Sequence, residues 1–368
     1  MDPSSQFCPN FYCAHRGLVG QGNIRVHSRT EQRYRCTACR KTFAATRNTP
    51  YYRLHKSLDL VTVVVALLAH GCPRQAVVAA YGLNERTVAA WYERAGQHGQ
   101  RFHEERVQQG QLDLRHVQAD ELYAKVVGGR LWMALALAVP SRLWLGGVLS
   151  PHRDGKPITA LVQAVRRCAS TLALLVCVDG LASYVTAFRK VFRQKVQGPR
   201  GRARRVVPDG LLIGQVVKRY RGRRLVEVVR RVVCGSAAAI AAVLAATGTG
   251  TGINTAYIER LNATFRACLA PLVRRGRALA RQQGRLEAGM YLVGCAYNFC
   301  WEHDSLRQAT PAGGKRKWQG RTPAMAAGLT DRPWTLREVL GARVPPGRWK
   351  APRKKPRRRR PAATPVPT

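Results

Sequence analysis

At 368 residues and 46% hydrophobic, the chain is long enough to bury one or two real cores and is globular over most of its length. Its 62 Lys+Arg against 20 Asp+Glu give a net charge of +42, which points to a polyanion, nucleic acid foremost, with an acidic membrane surface or a ribosome as other settings. The polar opening MDPSSQF reads as no secretory signal, and the apolar runs Leu58–Ala69 and Ala237–Ala246 fall short of the ~20 residues of a membrane span, so the expectation is a soluble protein of the cytoplasm, or one held on the nucleoid.

Residues 1–56 carry Cys8-x4-Cys13 and, 22 residues later, Cys36-x2-Cys39. Two close pairs at that separation predict a tetrahedral zinc site, each pair giving two thiolates. NIRVHSRTEQRYRC between them reads as a hairpin. Apolar residues are too few here for a core, so the metal must supply much of the folding energy. Four protein ligands leave no open position, which makes this zinc structural. Arg16, Arg25, Arg29, Arg33, Arg35, Arg40 and Lys41, with Tyr34 and Phe43 among them, are expected to form a basic surface for phosphates.

Residues 57–108 read as three helices. LDLVTVVVALLAHG is the first. PRQAVVAAYG is the second, with Pro73 at its first turn and Gly82 past its end. LNERTVAAWYERAGQ is the third, with Asn84 as N-cap. Helix, short glycine turn, helix is the helix-turn-helix pattern, and a plain helical bundle is the alternative. In the first reading Arg86, Thr87 and Arg94 face a DNA major groove while Val88 and Trp91 face inward.

Residues 112–302 mix strands and helices. LDLRHVQADELYAKV, RLWMALALAV and RLWLGGVL predict three successive strands. KPITALVQAVRRCAS is a helix, TLALLVCV a buried strand and LASYVTAFRKVF a helix. LLIGQVVKRY and RLVEVVRRVV are further strands, SAAAIAAVLAA a helix and TGTGTG a hinge. NTAYIERLNATFR then opens a last helix. This order predicts an α/β fold with a ribonuclease-H-like mixed sheet. Residues 303–348 read as a C-terminal extension. The tail over 349–368, with eight positive charges and prolines, cannot pack and is expected to stay disordered and to meet phosphates non-specifically.

Scarcity makes the acids readable. Asp120 falls on the first strand of the sheet, Asp179 closes the fourth, and Glu259 lies on the last helix. On that helix Ile258, Leu261, Phe265, Cys268 and Leu272 form the core stripe, and Glu259, Asn262 and Arg266 a second stripe beside it. Each acid alone also fits a structural role. Asp179-Gly180 suits a turn and Glu259-Arg260 a surface ion pair. Strand alternation sends Asp120 and its neighbour Glu121 to opposite faces, leaving one of them solvated. Together the three suit magnesium or manganese, which take oxygen ligands and relieve the repulsion between carboxylates. Two such ions handle phosphodiester chemistry. Arg266 and Asn262 are expected beside them on DNA, and the seven cysteines outside the zinc pairs are expected as apolar filler.

These residues resemble the DDE transposases of bacterial and archaeal insertion sequences, of the insertion-sequence-one type. The likeness rests on CPNFYC and YRCTACRKTF, then QADELY, VDGLASY and NTAYIERLNATFR, with YNFCWEHDSL and RTPAMAAGLTDRPWTLREVL downstream, and covers about residues 6 to 341. It implies a zinc ribbon, a helix-turn-helix domain and a ribonuclease-H-like domain. It implies Asp120, Asp179 and Glu259 as catalytic acids, with Arg266 as the basic residue seven places after the glutamate. It further implies cleavage at the ends of a mobile element, attack of the freed 3′-hydroxyl on target double-stranded DNA, and work as a homo-oligomer. Two features depart from many such proteins: this chain reads straight through in one frame, and it ends in an arginine-rich tail. A DNA-binding protein that has lost the chemistry, and a nuclease using the same metals, are the competing readings.

Overall fold

In the computed structural model, which describes residues 1–198, 201–273, 279–310 and 317–346, the N-terminal cysteines stand around a three-stranded antiparallel sheet. Its strands are β1 (Ile24–Ser28), β2 (Arg33–Cys36) and β3 (Thr42–Ala44), in that order. Tyr34 and Phe43 stack at 5.8 Å between ring centroids and are 3% and 6% exposed. They are core residues of this small unit, with Ile24 and the cysteines. That corrects their expected place on a phosphate-binding surface: alternation along β2 and β3 sends the aromatic side chains inward. This unit spans Met1–Arg47 together with residues 345 and 346, and Asn48–Val344 form a second.

The second unit begins with α1 (Leu58–Ala69), α2 (Arg74–Tyr81) and α3 (Glu85–Arg106). Ser57 caps α1 by accepting from the Leu60 N–H, and Asn84 caps α3 by accepting from the Arg86 N–H. Gly82, at φ 58°, ends α2 in the left-handed region that glycine enters without steric cost. α3 is one unbroken helix of 22 residues, ~33 Å long. Its first half packs with α1 and α2 and its second half enters the main core.

Next come β4 (His116–Val126), β5 (Gly129–Ala138), β6 (Leu143–Ser150), α4 (Gly155–Cys168), β7 (Leu174–Asp179) and α5 (Ala182–Val191). A short exposed hairpin, β8 (Gln194–Val196) and β9 (Arg204–Val206), precedes β10 (Leu211–Arg221), β11 (Arg224–Cys234), α6 (Ala237–Thr247), α7 (Ala256–Cys268) and α8 (Gln283–Phe299). The chain closes with β12 (Gln308–Ala309), β13 (Trp318–Gln319), α9 (Pro323–Ala326) and α10 (Leu336–Gly341). The basic tail falls outside the described residues.

Six strands form one mixed sheet in the order β11-β10-β7-β4-β5-β6. β4, β7 and β10 run parallel, and the outer pairings are antiparallel. Strand alternation supplies a core on each side. Val117 and Ala119 of β4 and Val176 and Val178 of β7 meet Leu161 and Val165 of α4 and Phe188 of α5. On the other face Leu122, Met133 and Leu135 meet Ile258, Leu261 and Phe265 of α7 and Met290 of α8. Leu175, Cys177 and Leu212 meet Ile240 and Leu244 of α6 on the same face.

No element is expected from sequence over 283–299, yet α8 is the most buried helix among those described. Thirteen of its 17 residues are buried, so no polar face marks it as a helix. Gly96 of α3 stands against the Ala288 backbone, with no room for a Cβ, and the two helices therefore pack main chain to main chain. Asn298 on α8 accepts from the Trp144 N–H and donates to the Trp144 carbonyl, both at 2.9 Å. That amide pairs main-chain groups of β6 beside its irregular register with β5.

Candidate active site

The four cysteines Cys8, Cys13, Cys36 and Cys39 gather their sulfurs within 4.8 Å of one another. Cys8 and Cys39 stand 3.6 Å apart, and Cys13 and Cys36 stand 3.9 Å apart. All four are free thiols. Sulfurs at the corners of a zinc tetrahedron lie ~3.8 Å apart for a Zn–S bond of ~2.3 Å, so the donor set fits that ion. Asn23 donates its amide to the Cys36 sulfur at 3.2 Å, which fixes that sulfur's position in the cluster. Burial pushes the Cys8 and Cys13 thiols up. At Cys39 burial is outweighed by hydrogen bonds from Asn10 and the Lys41 N–H, and the thiol falls to about 7.

The acids gather where β7 stops. Parallel pairing of β4 with β7 ends at Ala119 opposite Val178. The next residues on the two strands are Asp120 and Asp179. Beyond them β4 continues with β5, and β10 continues with β11, so the missing length of β7 opens a cleft ~10 Å wide between β4 and β10. A crevice at the carboxyl ends of parallel strands is the usual ligand position in open α/β sheets.

Each acid is held by its own partners. Asp120 accepts from the Asn262 amide at 2.8 Å. Burial, then the charges of Glu121 and Asp179 and, more weakly, Glu259, push its carboxyl up to about 7. Asp179 accepts from the Leu181 N–H at 3.0 Å, which fixes the turn into α5. Its own carbonyl is clamped by Gln215, whose side chain is held in turn by Arg231. Gln118 on β4 accepts from the Ile258 N–H and donates to the Asn254 carbonyl, fixing the first turn of α7 against the strand.

Asp120, Glu121 and Asp179 bring carboxylate oxygens within 4.8 Å of one another, an acidic group fit for a divalent cation. The expectation that one of Asp120 and Glu121 is solvated is corrected here, and Glu121 is not among the expected acids. Alternation does turn it to the α4–α5 face. There its side chain is 1% exposed, accepts from the Tyr184 hydroxyl at 2.9 Å and pairs with Arg153. Because β7 has ended, nothing between the strands separates the two faces at this level.

Glu259 stands outside that group. It faces the cleft from the first turn of α7 and pairs with Lys218 of β10 at 2.9 Å, also accepting from Thr255 at 3.0 Å. Burial opposes its ionisation, but the bonds from Lys218 and Thr255 outweigh it and hold the carboxyl below its usual range. Lys218, Arg153 and Gln215 carry no motif that singles them out in the sequence, and Tyr184, the last residue of VDGLASY, is given no role there.

The other expected site residues divide. Arg266 lies half-buried on α7, on the stripe of Glu259 and Asn262. Asn262 is expected on DNA, but at 1% exposure it serves Asp120 instead. Arg86 is exposed at the start of α3 and Thr87 half-buried beside it, while Val88 and Trp91 point inward as the spacing predicts. Arg94 donates to the Tyr52 carbonyl at 2.5 Å, which ties it to the body of the protein. His116 is fully buried against the Thr249 hydroxyl.

The Asp120 carboxyl has a measurable consequence. Its folded-state pKa lies above the ordinary value of 3.8. Stability from its protonated form is therefore complete below pH ~4 and lost as pH rises through about 7, amounting to up to about 4 kcal/mol. Without added divalent ions, Asp120→Asn is expected to melt several degrees above wild type at pH 8 and with it at pH 4. Magnesium should then raise only the wild-type melting temperature at pH 8. Parallel pH profiles for the two proteins would show that Asp120 is not strained.

Among the described residues no helix is long and apolar enough to cross a membrane. No protein-family model matches the chain, and none of the curated proteins compared with it matches either.

Proposed function

We propose that this chain is a transposase of the DDE type, which binds the ends of an insertion sequence, cuts the strands there and joins the freed 3′-hydroxyl to target DNA. The observation that carries this reading is that Asp120 and Asp179 lie side by side where the parallel pairing of β4 with β7 ends, with α7 bringing Glu259 to the same cleft. The ribonuclease-H-like assignment draws support from the sheet: three antiparallel strands in sequence, then β7 and β10 parallel to the first of them. The helix-turn-helix assignment draws support from α2, its left-handed Gly82 and the capped start of α3.

The donor set of Asp120, Asp179 and Glu259 suits magnesium or manganese. Electrostatics supports that fit: burial first, then the charges of Glu121, Asp179 and, more weakly, Glu259 raise the Asp120 pKa, a load that a bound cation would relieve. Two such ions, when bound, supply the charge that activates an attacking water or 3′-hydroxyl and steadies the leaving oxygen. The protein's own groups do the positioning. Asn262 aims the Asp120 carboxylate, Gln215 and Arg231 fix the end of β7, and Tyr184 and Arg153 hold Glu121 as a buried support behind the two aspartates. Glu259, now paired with Lys218, would complete the set that holds the cations, and Arg266 would steady a nearby DNA phosphate. One zinc on the cysteines keeps the N-terminal unit folded. The partners are transposon-end and target double-stranded DNA, bound by a homo-oligomer at the nucleoid.

The Lys218–Glu259 pair favours a second reading, a DNA-binding protein derived from such an enzyme that no longer cuts. The experiment that separates them is strand cleavage and joining on duplexes bearing the inverted repeats that flank the coding region, with magnesium. Nicked ends and joined products support the transposase. Binding without cutting supports the second reading, and cutting without joining supports a nuclease.

A further inference from the structure

Past Val216 strand β10 leaves the body of the sheet. β7 pairs with it only from Leu211 to Val216, whereas its pairing with β11 runs on to Arg221 opposite Arg224. The segment from 217 to 228 is thus a free two-stranded ribbon, ~17 Å long. Every residue from Lys218 to Val228 is exposed, with Tyr220 59% and Val226 56% accessible.

The ribbon carries Lys218, Arg219, Arg221, Arg223 and Arg224 against one acid, Glu227. Arg219 is matched by Glu227 across the strands and Lys218 by Glu259, which leaves the charge concentrated at the tip. An exposed edge with valines invites a strand from a second copy. Two such copies would set like charges opposite one another, which disfavours that occupant. The shape and charge suit a polyanion: the major groove of B-form DNA, ~12 Å wide, admits a two-stranded ribbon. The major groove of A-form RNA is too narrow and deep for it.

The root of the ribbon lies at the acids. Val216 is opposite Asp179 in the sheet, and two residues on Lys218 reaches Glu259. We propose that the β10–β11 ribbon is a DNA-docking arm, separate from the helix-turn-helix segment, that seats in the major groove and lays the duplex across the acidic cleft. This rests on the DNA-processing reading above but is tested by binding alone.

The test is a salt titration of the full-length zinc-bound chain on a labelled duplex of about 30 base pairs, without divalent ions, comparing wild type with the triple variant Arg221→Gln, Arg223→Gln, Arg224→Gln. These side chains are solvent-exposed, so the variant keeps its melting temperature. The expected result is a fall of ~2–3 in the slope of log K against log salt, about 0.9 for each phosphate no longer neutralised, and affinity at least roughly tenfold weaker at ~0.15 M salt. Equal slopes and affinities for the two proteins would overturn the arm. So would an equal loss on an A-form RNA duplex, or a change in self-association without a change in DNA binding. A wild type that cuts DNA while the variant binds normally removes the arm and leaves the enzyme. A wild type that never cuts while the variant loses binding does the reverse.

Discussion

Alanine in place of Asp179 lowers divalent-dependent strand cleavage by at least about 10³-fold, a barrier increase on the order of 4 kcal/mol, while duplex affinity stays within a factor of a few. The variant removes one of two carboxylates that stand at equal height on neighbouring parallel strands. It also removes the acceptor for the Leu181 N–H at the start of α5, a turn hydrogen bond of about 1 kcal/mol. Asp179→Asn separates the two effects. It keeps the acceptor and loses the charge, so it melts with or above wild type yet is equally inactive. Cleavage that survives in the asparagine variant would leave Asp179 as a turn residue and nothing more. Glu259→Gln belongs in the same assay and is expected to match the Asp179 variants, since its own helix brings it to the cleft.

Removing the zinc proposed for the four cysteines is expected to unfold the N-terminal unit. The apolar core of that unit is little more than Phe7, Ile24, Tyr34 and Phe43 with the four cysteines, too small to order a chain of this length unaided. Structural zinc sites carry apparent binding energies of about 10–16 kcal/mol, which a zinc bound here would supply as folding energy. Elemental analysis should find one zinc per chain, and Cys36→Ser should find none. In the serine variant, limited proteolysis is expected to cleave within residues 1–47 while the unit from Asn48 to Val344 keeps its resistance and its melting temperature. Protection of the N-terminal segment after metal loss would show that its core suffices.

Much of the arrangement was legible in residue types and spacing. The capped helices α1 and α3 and the glycine stop of α2 carry local signals that tertiary packing had no reason to override. The strands β4 to β7 and β10 to β11 are long branched or aromatic runs of the kind that fill a half-buried or buried sheet. The cluster of four N-terminal cysteines follows from spacing because knuckles of this length can close only locally. What stayed hidden has physical causes. α8 has no polar face, so its helical period is invisible. β8 and β9 are three residues each and exposed along both strands, with no alternation to detect. Alternation is expected to leave one of Asp120 and Glu121 solvated, a rule that holds inside a sheet and lapses where the neighbouring strand β7 stops. Tyr34 and Phe43 read as surface aromatics because arginines surround them in sequence, whereas the pleat separates the two sets in space. The pairing of Lys218 with Glu259, 41 residues apart, depends on where α7 crosses the sheet.

The central claim is that Asp120, Asp179 and Glu259, from two strands and a helix, share divalent cations in one cleft. Ferrous iron in place of magnesium, with ascorbate and peroxide, cuts a polypeptide beside the bound metal. The account predicts main-chain scission next to all three residues, suppressed by excess magnesium and absent in Asp120→Asn. Scission near Asp120 and Asp179 with none on α7, or cuts that persist in excess magnesium, would contradict it.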